Sequence, residues 1–341
     1  MPINTLTPAV VPALELTNRN RVWETLPTIH DDMENHPNFI EGVSNKITMD
    51  DLTNKCIIPT FADNSLIVSH QQFIETVRMA AMAYFGQDNV TPAECRVSHP
   101  IIGRIPSAQH KKASDLTDEE KTLTYQRLAW IAQIPSFSTT INGERASLTI
   151  GGTRSLHEDR LYGRACPLKF NIVISFRLRI CSNMLISHDG LLQGISCMSS
   201  ADIFEKALNL FQQFQIEKNI HQLEMLNQVM LSQEQFCQIL GRLRLYNVLP
   251  TQEKKALPQI ILGDSIINAA TREYITNPNF GVQSSGDTIS CWQLMNLLNE
   301  AAKTSYPDLF LERNANCTEF ATGIANAIIG DDSQGYRWFL N

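Results

Sequence analysis

Histidine beside acid is the first chemistry to look for, and the chain offers it twice, at His157-Glu158-Asp159 and at His188-Asp189. Metal ligation takes three or four converging donors with hydrogen-bonded supports behind them. No Cys-x-x-Cys and no His-x-x-x-His joins these pairs, and Asp189 is better explained by the turn it makes with Gly190. Neither a metal nor a cofactor is therefore expected. Gly151-Gly152-Thr153 follows a strand pattern, where phosphate loops begin, yet neither Gly-x-Gly-x-x-Gly nor Gly-Lys-Ser/Thr follows. Those glycines read as a strand exit or a bulge. A cysteine nucleophile needs a histidine close in space, and Cys166 before Pro167 is the most exposed-looking thiol. No Gly-x-Ser-x-Gly elbow occurs. Asp331-Asp332, after Gly330, reads as a solvated turn, and Pro307-Asp308 with Glu312-Arg313 lacks the spacing of a nuclease metal motif. No catalytic set emerges.

Charge gives the one candidate working surface. Between Glu144 and Cys181 stand Arg145, Arg154, Arg160, Arg164, Lys169, Arg177 and Arg179 against Glu144, Glu158 and Asp159. That island nets +4 in a chain of −7, which leaves −11 for the rest. Arg154, Arg160, Arg164, Lys169, Arg177 and Arg179 are the expected polyanion-binding residues, if they gather on an exposed face. The competing reading is an ordinary solvated sheet face, paired with acids elsewhere.

The elements that must position these groups are legible. Phe170, Ile172, Ile174, Phe176, Leu178 and Ile180 alternate with Asn171, Ser175, Arg177 and Arg179, which predicts a strand with one apolar and one polar face. Such alternation favours an antiparallel sheet with one open side. Asn142-Gly143 predicts a type I′ hairpin, Asp189-Gly190 a second hairpin, and Pro135 an edge or a bulge. Together these segments make a meander of about four strands. Upstream, Cys56 to Phe61 reads as a short strand, and Ser69 with Gln72 caps a helix that Gly86 closes. Downstream the apolar spacing turns helical. Ile203 to Phe214 and Ile220 to Met230 form one long helix or two, and Ser232 with Gln235 caps another. Asp264 opens a shorter one; Trp292, Met295 and Leu298 mark the next, and Phe320 to Ile328 the last. Strands first and helices after predict an α+β fold, an antiparallel β-meander sheet followed by a set of packed α-helices. Residues 1–45 are expected as a loosely held arm, 46–199 as a β-rich part with one early helix, and 200–341 as a helical part packed on the sheet.

Composition sets the outer limits. A chain of 341 residues with 43% hydrophobic and 18% charged residues can fill its own core. Its acidic balance opposes non-specific binding to duplex DNA over the whole surface. No secretory leader and no apolar run of membrane-spanning length is seen, so no membrane association is expected. Eight singly scattered cysteines favour a reducing, cytoplasmic setting.

Four motifs carry a resemblance. They are Arg96 to Pro106 (RVSHPIIGRIP), Leu148 to Arg154 (LTIGGTR), Phe236 to Tyr246 (FCQILGRLRLY), and the run from Trp292 through Asn299-Glu300-Ala301-Ala302-Lys303 to Arg313, with Trp338-Phe339-Leu340 at the end. In this order they resemble an uncharacterised domain-of-unknown-function family of Bacteroides-type bacteria linked to mobile elements, over roughly residues 40 to 341. Phe176 to Asn183 is distantly similar to the phage/plasmid-like protein family. Asn299 stands where a Thr is more usual. The resemblance implies a cytoplasmic protein in a mobile-element context and carries over no catalytic residue.

Two functional expectations follow. The first is a non-catalytic binding protein, with single-stranded nucleic acid as ligand on the basic sheet face. The polar face of the central strand supplies no aromatic platform for it. The second is a metal-dependent nuclease or other hydrolase whose site is built from sequence-distant residues. A protein partner, or self-association through the helices, is the remaining kind of partner.

Overall fold

The computed structural model describes residues 37–42, 44–56, 68–155, 168–282 and 288–341. β1 (Asn45–Ile47) leads into α1 (Met49–Lys55) and α2 (His70–Phe85). Strands β2 (Glu94–Val97), β3 (Ile101–Arg104), β4 (Lys121–Tyr125), β5 (Leu128–Ile141), β6 (Glu144–Arg154), β7 (Leu168–Leu178), β8 (Met184–Leu185) and β9 (Leu191–Cys197) follow. Then come α3 (Ser200–Gln213), α4 (Ile216–Leu226), β10 (Met230–Ser232), α5 (Gln233–Val248), α6 (Thr251–Lys254), α7 (Asp264–Thr276), β11 (Thr288–Ser290), α8 (Cys291–Ala302) and α9 (Phe310–Ile329). The fold is α+β, with an antiparallel sheet ordered β1-β2-β5-β6-β7 and both β8 and β9 on the far side of β7. β3 and β4 form a separate ribbon, as do β10 and β11. The expected strand beyond Cys56 lies outside the described residues, apart from Cys56 itself.

Local chemistry sets many of the boundaries. Ser69 and Gln72 cap α2 reciprocally, and Gly86 ends it at φ 104°. Ser232 with Gln235 and Ser290 with Gln293 do the same for α5 and α8. Asn142 and Gly143 take φ 51° and 86°, the pair of positive values a tight hairpin needs, and place Ile141 opposite Glu144. The ladder slips between Ile134 and Ser138, so Pro135 marks a bulge, in the part of β5 that is laddered to β6 alone.

Three expectations are corrected. Asp189-Gly190 does not close a hairpin. β8 and β9 both run antiparallel to β7, so residues 184–197 form one interrupted edge with a 3-10 turn at His188–Gly190. Gly190 is required there because a Cβ would strike the carbonyl oxygen of Ile174.

The second correction concerns the open face. Trp130, Leu148, Ile150, Ile172, Ile174 and Phe176 line one side, under α2 and α3. The Phe73 ring sits 4.6 Å from Phe170 and 6.0 Å from Trp130. The other side, which carries Ala129, Ile131 and Val173, is covered by Phe39 and Ile40 and by Phe310 and Leu311 at the start of α9. Burial of each such side chain contributes roughly 2 kcal/mol. The last part of the expected arm, residues 37–42, is therefore packed on the sheet, with Phe39 and Ile40 fully buried.

Gly151 and Gly152 are neither a strand exit nor a bulge. They lie mid-strand in β6, opposite Ile131 and Trp130. A Cβ on Gly152 would come within 2.6 Å of the Phe73 ring and 2.7 Å of Asn171 O, so glycine lets α2 close onto the sheet. Gly152→Ala is expected to lower stability by about 1–3 kcal/mol, measured by urea unfolding.

Candidate functional site

Strand parity decides the fate of the basic island. Arg154 shares the α2 side of β6 with Leu148 and Ile150, whereas Arg177 shares the opposite side of β7 with Val173 and Ser175. Arg154 is 2% exposed, donates to Val68 O, and places its guanidinium carbon 4.8 Å from the Phe170 ring centre. Arg177 is 7% exposed and lies 3.1 Å from Glu94 Oε2, with a further bond of 2.9 Å to Ser182 Oγ. Burial pulls its pKa down, and Glu94 pulls back. Lys169 and Arg179 are half-buried and engaged in interactions of their own. Arg160 and Arg164 lie outside the described residues, as do Cys166 and His157-Glu158-Asp159. The exposed basic face expected from alternation is thus absent for Arg154 and Arg177, because both sides of the sheet are covered.

The same cover explains the polar residues it hides. The turn after β7 holds Ser182 at φ 61°, with Asn183 donating to Asn296 O and Oδ1 on α8 at 3.1 Å each. Lys303, 1% exposed, donates to Cys181 O and pairs with Glu300 at 2.8 Å. Arg127 pairs with Asp308 at 3.2 Å and lies over the Tyr306 ring. The Asn183, Cys181 and Arg127 contacts tie segments flanking the strands to α8 and to the stretch before α9. Ion pairs of this kind add little net stability, because the desolvation cost offsets the Coulomb gain.

Cysteine chemistry finds no activated thiol among the groups with a resolved shift. Burial pushes the Cys95, Cys181 and Cys291 thiols up to about 12 and raises those of Cys56, Cys197 and Cys317. Among the described residues no group of three or more His, Cys, Asp or Glu is placed to hold a metal.

What the structure does bring together is a polar cleft of about 530 Å³ where the 3-10 turn, α4 and α9 meet. Its end is Ser187, His188 and Asp189; one wall is Lys218, Asn219 and Gln222 of α4; the facing wall is Thr318, Glu319, Thr322 and Asn326 of α9. Gly190 seats the turn against β7, where a Cβ would meet Ile174 O. Asp189 is oriented twice, by Ser187 Oγ at 2.7 Å and by Asn219 Nδ2 at 2.9 Å. Asn219 is in turn bonded to Gln215 O, and Leu223 and Gly323 complete the floor. Fixed polar groups converging from three elements are the form of a ligand site.

His188-Asp189 was visible in the sequence as a His/acid pair, but its partners were not. The α9 wall left one trace, the four-residue spacing of Thr318, Thr322 and Asn326 among the apolar residues of the helix's second half. The α4 wall left none, since Lys218 and Gln222 look like any solvated helix face.

Residues 25–340 match the family described as "Domain of unknown function, B. Theta Gene description (DUF3871)". No curated protein and no solved structure matches the chain.

Proposed function

The chain belongs to the DUF3871 family, and from that premise we propose that it is a non-catalytic binding protein which holds a small polar ligand in the cleft between the 3-10 turn, α4 and α9. One observation carries the reading: Asp189 is held by two donors at the end of a cleft whose walls are polar side chains on helices. Such orientation lowers the ordering cost of binding.

A mobile-element setting belongs to the same proposal, on the sequence resemblance alone. Single-stranded nucleic acid is the ligand that setting suggests. Two features favour a small ligand over a polyanion: Arg154 and Arg177 are buried on opposite sides of the sheet, and Asp189 and Glu319 are both in the cleft.

A thermal-shift panel of neutral polyols, amino acids, carboxylates and aliphatic amines tests the reading. At about a hundredfold excess over Kd a cleft ligand is expected to raise the unfolding temperature by roughly 4 °C. Thr322→Trp, which fills the cleft from α9, is expected to abolish that rise while leaving the unliganded transition in place. A rise that survives the substitution places the ligand elsewhere and removes the reading.

A further inference from the structure

The hydrogen-bond inventory of the cleft says more than its shape, on the reading that the cleft is the binding site. Both Nδ2 hydrogens of Asn219 are engaged inside the protein, by Asp189 Oδ2 and Gln215 O at 2.9 Å each. The Thr318 hydroxyl donates to Asn314 O at 3.2 Å, and the Ser187 hydroxyl to Asp189 Oδ1 at 2.7 Å. Asn219 and Thr318 are each 4% exposed, so these donors are held in place by packing. What the fixed residues still offer is lone pairs, on Asn219 Oδ1, Thr318 Oγ1, Ser187 Oγ and the Asp189 carboxylate. Glu319 adds a second carboxylate on the facing wall. Gln222, Asn326 and Gln334 are exposed amides at the rim, which turn to present either end.

The fixed residues thus present acceptors and, with Glu319, the cleft holds two carboxylates, which favours a donor-rich cation; the His188 ring and the Thr322 hydroxyl, also in the lining, can donate or accept. An ammonium has three donors and no acceptor, and a guanidinium has five. A carboxylate or phosphate would bring its lone pairs against those of the floor. Lys218 is the opposing charge, exposed on the α4 wall, with a four-carbon stem that swings into water.

We infer that the cleft is selective for an aliphatic ammonium or guanidinium group, with Asp189 as the main anchor and Glu319 as the second charge. Calorimetric titration of the full chain with putrescine, spermidine and agmatine, beside butanediol, glycerol and succinate, tests it. A lysine-containing tripeptide distinguishes a side-chain ammonium from a free amine. The amines are expected to bind and the diol, glycerol and succinate not. Asp189→Asn is expected to weaken amine binding about tenfold and Glu319→Gln about threefold, while Lys218→Ala tightens it about twofold. The tenfold loss at Asp189→Asn against the threefold loss at Glu319→Gln separates a seated cation from diffuse attraction to an acidic surface, to which the two carboxylates would contribute alike.

Amines that bind with unchanged affinity in all three variants sit elsewhere, which overturns the inference. If glycerol or succinate binds in a Thr322→Trp-sensitive way and the amines do not, the cleft stands and the amine selectivity falls. If no compound of either panel binds, both readings fall together.

Discussion

Arg177→Ala is expected to lower the folding stability by about 3 kcal/mol, the lower end of the range for removing one member of a buried ion pair. The lower end applies because the Glu94 side chain keeps 17% of its surface in water. Arg177 joins three separate stretches through Glu94 on β2, Ser182 in the turn after β7, and Pro37 O at 3.4 Å. Without the guanidinium, Glu94 keeps its charge on the covered side of the sheet, beside Ile131, and Ser182 Oγ is left with its bond to Pro37 O at 2.7 Å. Replacing both partners, Arg177→Met with Glu94→Gln, is expected to recover part of the loss, because no uncompensated charge is left behind. Urea unfolding of the two variants and the parent checks this. A loss below about 1 kcal/mol for Arg177→Ala would mean that the pair is solvated rather than buried.

Acid is expected to find a second weak point at His70. The ring donates from Nε2 to Gln126 O at 3.0 Å, and its buried Nδ1 has no partner among the described residues. Burial lowers its pKa from 6.5 to about 3, and the Arg154 guanidinium pushes the same way. Between those values the unfolded chain binds a proton that the folded chain refuses. The contribution is complete above pH 6.5 and is lost as the pH falls towards 3. From pH 7 to pH 4 that loss is on the order of 3 kcal/mol. His70→Gln keeps a donor for Gln126 O and has no proton to gain, so its unfolding free energy is expected to fall less over this interval. Carboxylates titrate in both proteins, so the difference between the two pH profiles isolates the histidine. Parallel profiles would place the ring in water.

The sequence carried the local half of this fold because local signals are written in adjacent residues. Ser69 with Gln72, Ser232 with Gln235, Asn142-Gly143 and the alternation from Phe170 to Leu178 each act within a few positions, and each appears in the structure where its chemistry puts it. The covered second face was not legible, because its lid comes from Phe39 and Phe310, far away along the chain on either side of β7. Alternation reports that one side of a strand is polar; it does not report whether that side meets water. Arg177 on a solvated sheet and Arg177 paired with Glu94 under a lid have the same one-dimensional pattern. The Asp189-Gly190 turn misled for a related reason. Glycine there answers to the Ile174 carbonyl on β7, a contact across the sheet rather than along the chain. The cleft was half legible, since His188-Asp189 stood out while Lys218, Asn219 and Glu319 became neighbours only through helix packing.

Amide hydrogen exchange of the full chain, with and without the compound that gives the largest thermal shift, tests the binding reading most directly. Exchange is expected to slow within residues 187–190, 218–223 and 318–326, and to change little in β5, β6 and β7. Slowed exchange confined to the sheet strands or to residues 37–42, with the two cleft helices unaffected, would contradict it.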